Sequence, residues 1–305
     1  MERMGMVGAR SKRVVAAAML VAAALARAQV PAPDVLINGS GLHVVINLPQ
    51  TRLFVYRDGT LLKSYPVAVG KMLTQTPTGT YAVTGIYPKP IWYVPKSIQE
   101  EMKQQGKPVL TSVPPGPDNP LGNAFVRFGD PRLGLGMHGT NVPTSVPGFR
   151  SHGCVRLKNE DIDELASTVS PGAAVTVAYQ TVLLNEDAAG ELWLTALKNP
   201  YKYDDPSFKQ LAQVLLAWQS SRQVAVHGKR VDVALRERNG KPVCLSCKSA
   251  DKARISGELS ALRWLSGGSK APELAPAETA PAAPEALPET VNKLEPRPAK
   301  KPAKV

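Results

Sequence analysis

Cysteine and histidine are scarce: three of the first and four of the second in 305 residues leave few side chains for metal or thiol chemistry. Two of the cysteines form one C-x-x-C, Cys244-Leu245-Ser246-Cys247. No second pair completes a zinc ribbon, and no βαβ pattern surrounds it as a thioredoxin-like motif requires. It reads as a local disulfide in preference to a redox pair or half of a zinc site. Long apolar runs are also missing. The one over residues 14–25 is too short to cross a bilayer, and no stop-transfer pattern follows. Arg10, Lys12 and Arg13 precede it and Ala26-Arg27-Ala28 follows, so residues 1–28 read as a signal peptide with the mature chain starting at Gln29. No cysteine stands at the cleavage site, which argues against a lipid anchor. The address implied is an exported, periplasmic one without a transmembrane segment.

The net charge of +12 is unevenly spread, with +4 over residues 1–28, +1 over 29–189, +6 over 190–266 and +1 over 267–305. The basic excess after residue 190 suits polyanionic partners such as wall polymers or lipid head groups. Nucleic acid is disfavoured by the export signal and by the lack of a recognised binding motif.

The chemistry concentrates in Ser151-His152-Gly153-Cys154-Val155-Arg156, with a second histidine upstream in Met137-His138-Gly139-Thr140. A thiol is a weak nucleophile until deprotonated, and a neighbouring imidazole is a standard means of doing so. Gly153 permits a tight turn whose amides are natural donors to an oxyanion. Cys154 therefore reads as nucleophile, His152 as base, and the backbone around Gly153 as oxyanion hole.

The context is larger than the tripeptide. His138, a short Pro/Gly loop and then Ser151-His152-Gly153-Cys154, preceded by Thr76-Pro77-Thr78-Gly79-Thr80-Tyr81 and by the Pro-rich 113–122, resemble the YkuD-type L,D-transpeptidase catalytic domain over about residues 42–180. That resemblance implies a mainly β fold, a β-sandwich or barrel with short helices. It implies attack by the Cys154 thiolate on the L-centre of the diamino acid at position three of a peptidoglycan stem tetrapeptide. D-Alanine leaves and an amine resolves the thioester, giving a crosslink, a wall-attached lipoprotein or an exchanged D-amino acid. No metal or organic cofactor is implied. Ser151 would orient His152 through its backbone carbonyl, and His138 would be a second active-site histidine. Arg156 follows Cys-Val where relatives carry Arg or Asn, placed to hold a carboxylate or an ion pair. Two rivals stand beside this reading. One is an L,D-carboxypeptidase or endopeptidase on the same scaffold. The other is a non-catalytic wall-binding protein.

Alternation predicts strands over residues 42–48, 52–56, 61–69, 80–86, 124–128, 135–138 and 174–178. His43 falls inside the first and reads as structural. Residues 87–121 carry eight prolines and a polar helix near 97–104, the composition of a lid or binding loop. Trp92 and Tyr93 there would line a substrate groove or pack under the loop. Asn159 reads as an N-cap to a helix over 160–169, whose Asp161, Asp163 and Glu164 complement the helix dipole. The leader is placed at 29–41 and a small basic α+β module at 190–266. In the module a helix is expected from Ser207 through Trp218, with strands at 224–226 and 231–235 joined by a turn at His227. The Ala/Pro/Lys/Glu-rich 267–305 is expected to be disordered.

Overall fold

The computed structural model describes residues 29–265. The signal peptide and the Ala/Pro-rich tail expected from the sequence lie outside them.

The first half is a run of short strands: β1 (Leu42–Asn47), β2 (Arg52–Arg57), β3 (Thr60–Pro66), β4 (Ala68–Gly70) and β5 (Gly79–Pro88). An excursion follows, with β6 (Trp92–Tyr93), helix α1 (Lys96–Gln104) and β7 (Ser112–Val113). The chain then returns through β8 (Ala124–Phe128), β9 (Gly136–His138), β10 (Gly148–Ser151), β11 (Val155–Arg156), α2 (Asn159–Thr168) and β12 (Ala174–Ala178). Ten of these strands form one mixed, curled sheet in the order β10-β4-β11-β9-β8-β5-β12-β1-β2-β3. The fold is mainly β, as expected. β6 and β7 stand apart as a two-stranded ribbon.

β1 shows why the sheet holds. Its side chains alternate in direction, yet both faces are covered. Val44 and Ile46 enter the main core with Leu53, Val55, Val126, Met137, Val155 and Ile162. Val45 points the other way and packs with Phe54 and Tyr56 against Val30, Val35 and Ile37 of the leader. Each such fully buried aliphatic side chain contributes about 1.5–3 kcal/mol. His43 is structural: Nδ1 accepts from the Asn38 N–H at 3.2 Å and Nε2 lies 2.8 Å from Thr176 Oγ1.

A second, four-stranded sheet has the order β15-β14-β13-β16, from β13 (Val182–Glu186), β14 (Leu192–Ala196), β15 (Val243–Cys244) and β16 (Ser260–Ala261). It begins at Val182, ahead of the change in composition near residue 190. Helix α3 (Phe208–Arg222) lays Leu211, Leu215 and Trp218 on it, and its start is locked by a capping box between Ser207 and Gln210. Cys244 and Cys247 are joined in a disulfide.

Three expectations are corrected. Residues 231–235 are not a strand but part of helix α4 (Gly228–Glu237), with His227 at its N-cap position. The Val-Asp-Val-Ala-Leu run alternates over only five residues. Val231, Ala234 and Leu235 turn inward at helical spacing, while Val233 is exposed. Residues 224–226 carry no strand. Asn159 is not the N-cap of α2 but its first residue; Lys158 holds the cap position without a side-chain bond. The Asn159 Oδ1 instead accepts from Thr140 N at 3.1 Å and Asn123 N at 3.3 Å, tying α2 to the loop after His138.

Candidate active site

The Cys loop joins β10 to β11, and β4 lies between those two strands, parallel to the first and antiparallel to the second. On its other side β11 pairs with β9 in parallel, with Val155 opposite Met137 and Arg156 opposite His138. The sheet thus sets Arg156 opposite His138, and with it the end of the Cys loop, from segments 18 residues apart.

The turn after β4 holds the loop. Ser151 O accepts from Lys71 N at 3.1 Å and from Thr74 Oγ1 at 3.0 Å. Gly153 O accepts from Thr76 Oγ1 at 2.8 Å. Thr76 is wholly buried, and its hydroxyl oxygen also accepts from Gly70 N at 2.9 Å. Gly70 itself admits no side chain, since a Cβ there would lie 2.1 Å from Thr74 O. Tyr201, from the segment after β14, closes the arrangement by donating to Gly70 O at 2.7 Å and accepting from Thr76 N at 3.2 Å. Gly153 takes φ +115°, a conformation that excludes most side chains. Ser151 Oγ bridges the loop, donating to Cys154 O and accepting from Gly153 N at 3.2 Å.

Cys154 is half-buried and unpaired, and Sγ donates to Gly134 O at 3.3 Å. Burial pushes its thiol up, while the Gly136 N–H and the Arg156 charge pull it down. His138 is buried, and its Nδ1 lies 2.7 Å from Gly139 O. A carbonyl only accepts, so Nδ1 carries the proton and Nε2 the lone pair. Burial holds this imidazole at about 4, with Arg156 adding in the same direction, so the ring is neutral near pH 7. Phe125 stacks beside it with centroids 6.2 Å apart. That contact depends on Gly136, whose Cβ would fall 2.2 Å from the Phe125 ring.

His152 is more exposed. Its Nε2 lies 3.3 Å from Lys71 Nζ and 3.5 Å from Glu101 Oε2. Burial lowers its pKa first and the Lys71 charge second, while Glu101 opposes them. Arg156 is half-buried; its Nε is buried without a partner, and no carboxylate lies within ion-pair distance among the described residues.

A family model for the L,D-transpeptidase catalytic domain, YkuD, matches residues 41–177. The Escherichia coli (strain K12) protein named Probable L,D-transpeptidase ErfK/SrfK is 30% identical over 226 residues, 71% of this chain and 70% of that one. Probable L,D-transpeptidase YbiS of the same strain is 31% identical over 221 residues, 70% of each chain. The chain belongs to the L,D-transpeptidase family of enzymes. A solved L,D-transpeptidase from Mycobacterium smegmatis is 22% identical, covering 46% of this chain and 59% of that one with a TM-score of 0.38.

Not every residue singled out in this family member converges on Cys154. Trp92 is half-buried and Tyr93 is 70% exposed, on the β6–β7 ribbon, and among the described residues neither makes a ring contact or side-chain hydrogen bond to the histidines. Asp163 accepts from Asn123 Nδ2 at 2.7 Å and Glu164 pairs with Lys63, both structural. Conversely, Gly139, Lys71, Thr74, Glu101 and Tyr201 touch the site or its supports without having been singled out. Only the Thr-Pro-Thr-Gly motif flagged the 70–76 turn, and nothing in the polar α1 sequence marks Glu101.

Proposed function

We propose that this enzyme is a peptidoglycan L,D-transpeptidase in which Cys154 forms a thioester with the third-position diamino acid of a stem tetrapeptide, releases D-alanine and passes the acyl group to an amine. The observation that carries this reading is the half-buried Cys154 thiol on the loop leading into β11, the strand that pairs with β9 and sets Arg156 opposite His138, whose Nε2 lone pair is fixed by the Gly139 carbonyl.

The sequence makes His152 the candidate base, and the resemblance to the family implies the Ser151 carbonyl as its orienting group. The geometry supports a division of labour. The Ser151 carbonyl already accepts two hydrogen bonds, whereas the Gly139 carbonyl serves His138. His138 is thus the better-oriented acceptor of the Cys154 proton, and His152 stands toward the solvent side for the second half-reaction. Since Ser151 Oγ occupies the Gly153 N–H, the Cys154 N–H is the loop amide left for the oxyanion. Arg156, with no carboxylate at ion-pair distance among the described residues, suits a carboxylate of the stem peptide. Trp92 and Tyr93 would line the groove only if the insertion closes over it. Residues 42–180 form the catalytic domain in this reading, and export to the periplasm delivers it to its polymer; no cofactor takes part.

The test is mass spectrometry of the full mature chain incubated with disaccharide-tetrapeptide, beside Cys154→Ala. A dimer lacking one D-alanine, absent from the variant, is the expected product. Tripeptide alone would mean that water resolves the thioester and the enzyme is a carboxypeptidase. No Cys154-dependent change would refute the acyl-enzyme reading.

A further inference from the structure

The first half-reaction uses His138 and leaves the second histidine with an unexplained pair of neighbours. His152 Nε2 lies between a primary ammonium, Lys71 Nζ at 3.3 Å, and a carboxylate, Glu101 Oε2 at 3.5 Å. An ammonium can only donate, so it is served by a lone pair on Nε2; a carboxylate is served by a proton there. Nε2 is therefore set between a group of the kind that gives up a proton and one that stabilises the imidazolium formed. Burial first and the Lys71 charge second lower the pKa of His152, which favours the neutral ring with its lone pair on Nε2. Glu101 comes from α1, within the Pro-rich excursion between β5 and β8, a segment outside the sheet that carries the Cys loop.

We propose that Glu101 and His152, beside Lys71, form the acceptor site for a cationic primary amine, with Glu101 attracting the ammonium and His152 Nε2 taking its proton. This rests on the Cys154 acyl-enzyme reading above. Lys71 marks where an alkylammonium meets Nε2. The amine arrives as R–NH3+, passes one proton to Nε2, and attacks the thioester carbonyl with the freed lone pair. The C–N bond forms and the C–S bond breaks, its electron pair leaving on Cys154 Sγ. The second surplus proton of the nitrogen ends on that sulfur, regenerating the thiol and leaving a neutral amide. The proton on His152, beside Glu101, then goes to water. The Glu101 carboxylate offsets the Lys71 charge at this point, and so favours a charged amine over a neutral nucleophile relative to the same site without it.

The experiment lets two nucleophiles compete for one acyl-enzyme on the full mature chain. With tetrapeptide as donor, Nα-acetyl-lysine amide supplies the cationic amine and hydroxylamine the uncharged one. Mass spectrometry reads the ratio of amide to hydroxamate, and released D-alanine reports that the thioester forms. Because both products come from the same intermediate, the ratio is independent of how fast it is made. Glu101→Gln is expected to lower the ratio about tenfold, the scale of a lost charge contact at a partly solvated site. Glu101→Lys should lower it further. An unchanged ratio in both variants, with D-alanine still released, would overturn the acceptor site and leave the acyl-enzyme reading standing. Failure of the unaltered protein to release D-alanine would overturn both.

Discussion

Tyr201 offers a sharp test of how the active-site loop is held, because Tyr201→Phe removes one oxygen and little else. The ring would keep its contacts with Tyr179 and Phe149, at centroid distances of 5.3 and 5.6 Å. What disappears is the donor to Gly70 O at 2.7 Å and the acceptor for Thr76 N at 3.2 Å. Both backbone groups are buried, and a buried polar group left unpaired costs about 1–3 kcal/mol. The pair together should cost about 2–6 kcal/mol. For a chain of this size that lowers Tm by roughly 4–24 °C, at about 2–4 °C per kcal/mol. The activity effect follows from geometry. Thr76 is the residue whose hydroxyl holds Gly153 O, so freedom in the 70–76 turn passes directly to the peptide before Cys154. Misplacement of a nucleophile by about 1 Å can cost on the order of a hundredfold. Differential scanning calorimetry and single-turnover D-alanine release read the two effects on the same protein. A variant with Tm within about 1 °C of the parent and an unaltered acylation rate would refute the idea that this hydroxyl supports the loop.

Three further expectations concern the residues around Cys154. His138 sits at about 4 because it is buried, against an ordinary 6.5. The unfolded chain therefore takes up this proton first as pH falls; the contribution to stability is intact above about pH 6.5 and is lost, by about 3 kcal/mol, on descending to about pH 4. Urea unfolding over that range should show a flatter slope for His138→Asn, with His43, whose pKa burial also lowers, supplying part of what remains; equal slopes would contradict the buried neutral ring. Gly136→Ala drives a Cβ into the Phe125 ring and should destabilise by about 1–3 kcal/mol. It should also slow acylation by disturbing the ring beside His138, and a variant as stable and active as the parent would count against that packing. Arg156→Met leaves most of the side-chain volume but no guanidinium. If Arg156 holds a substrate carboxylate, KM rises at least tenfold, about 1.4 kcal/mol, while Tm stays level because no carboxylate among the described residues loses a partner; an unchanged KM would remove Arg156 from the substrate site.

What could be read from the sequence and what could not divide along a physical line. Short-range patterns were legible: β8 runs over the residues its alternation predicts, and α3 places Leu211, Leu215 and Trp218 on one buried face as their spacing requires. The Cys loop was legible because Ser151, His152, Gly153 and Cys154 are neighbours in the chain. The helix over 228–237 was not, because two valines one residue apart satisfy a strand period locally, and only the buried face of Val231, Ala234 and Leu235 distinguishes the two. Asn159 misled for a related reason. A side chain suited to capping its own helix was put to use on the amides of Thr140 and Asn123, partners that only the folded chain brings near. The site's supports are of this long-range kind. Glu101 reaches His152 across 51 positions, and Tyr201 reaches Gly70 across 131. Tyr201 also lies beyond the stretch matched by the family model, yet it bonds the turn that holds the Cys154 loop. The catalytic motif is therefore local, while the rigidity that gives it a fixed geometry is assembled partly from the second half of the chain. Removing that half should loosen the Cys loop even though every residue of the motif is retained.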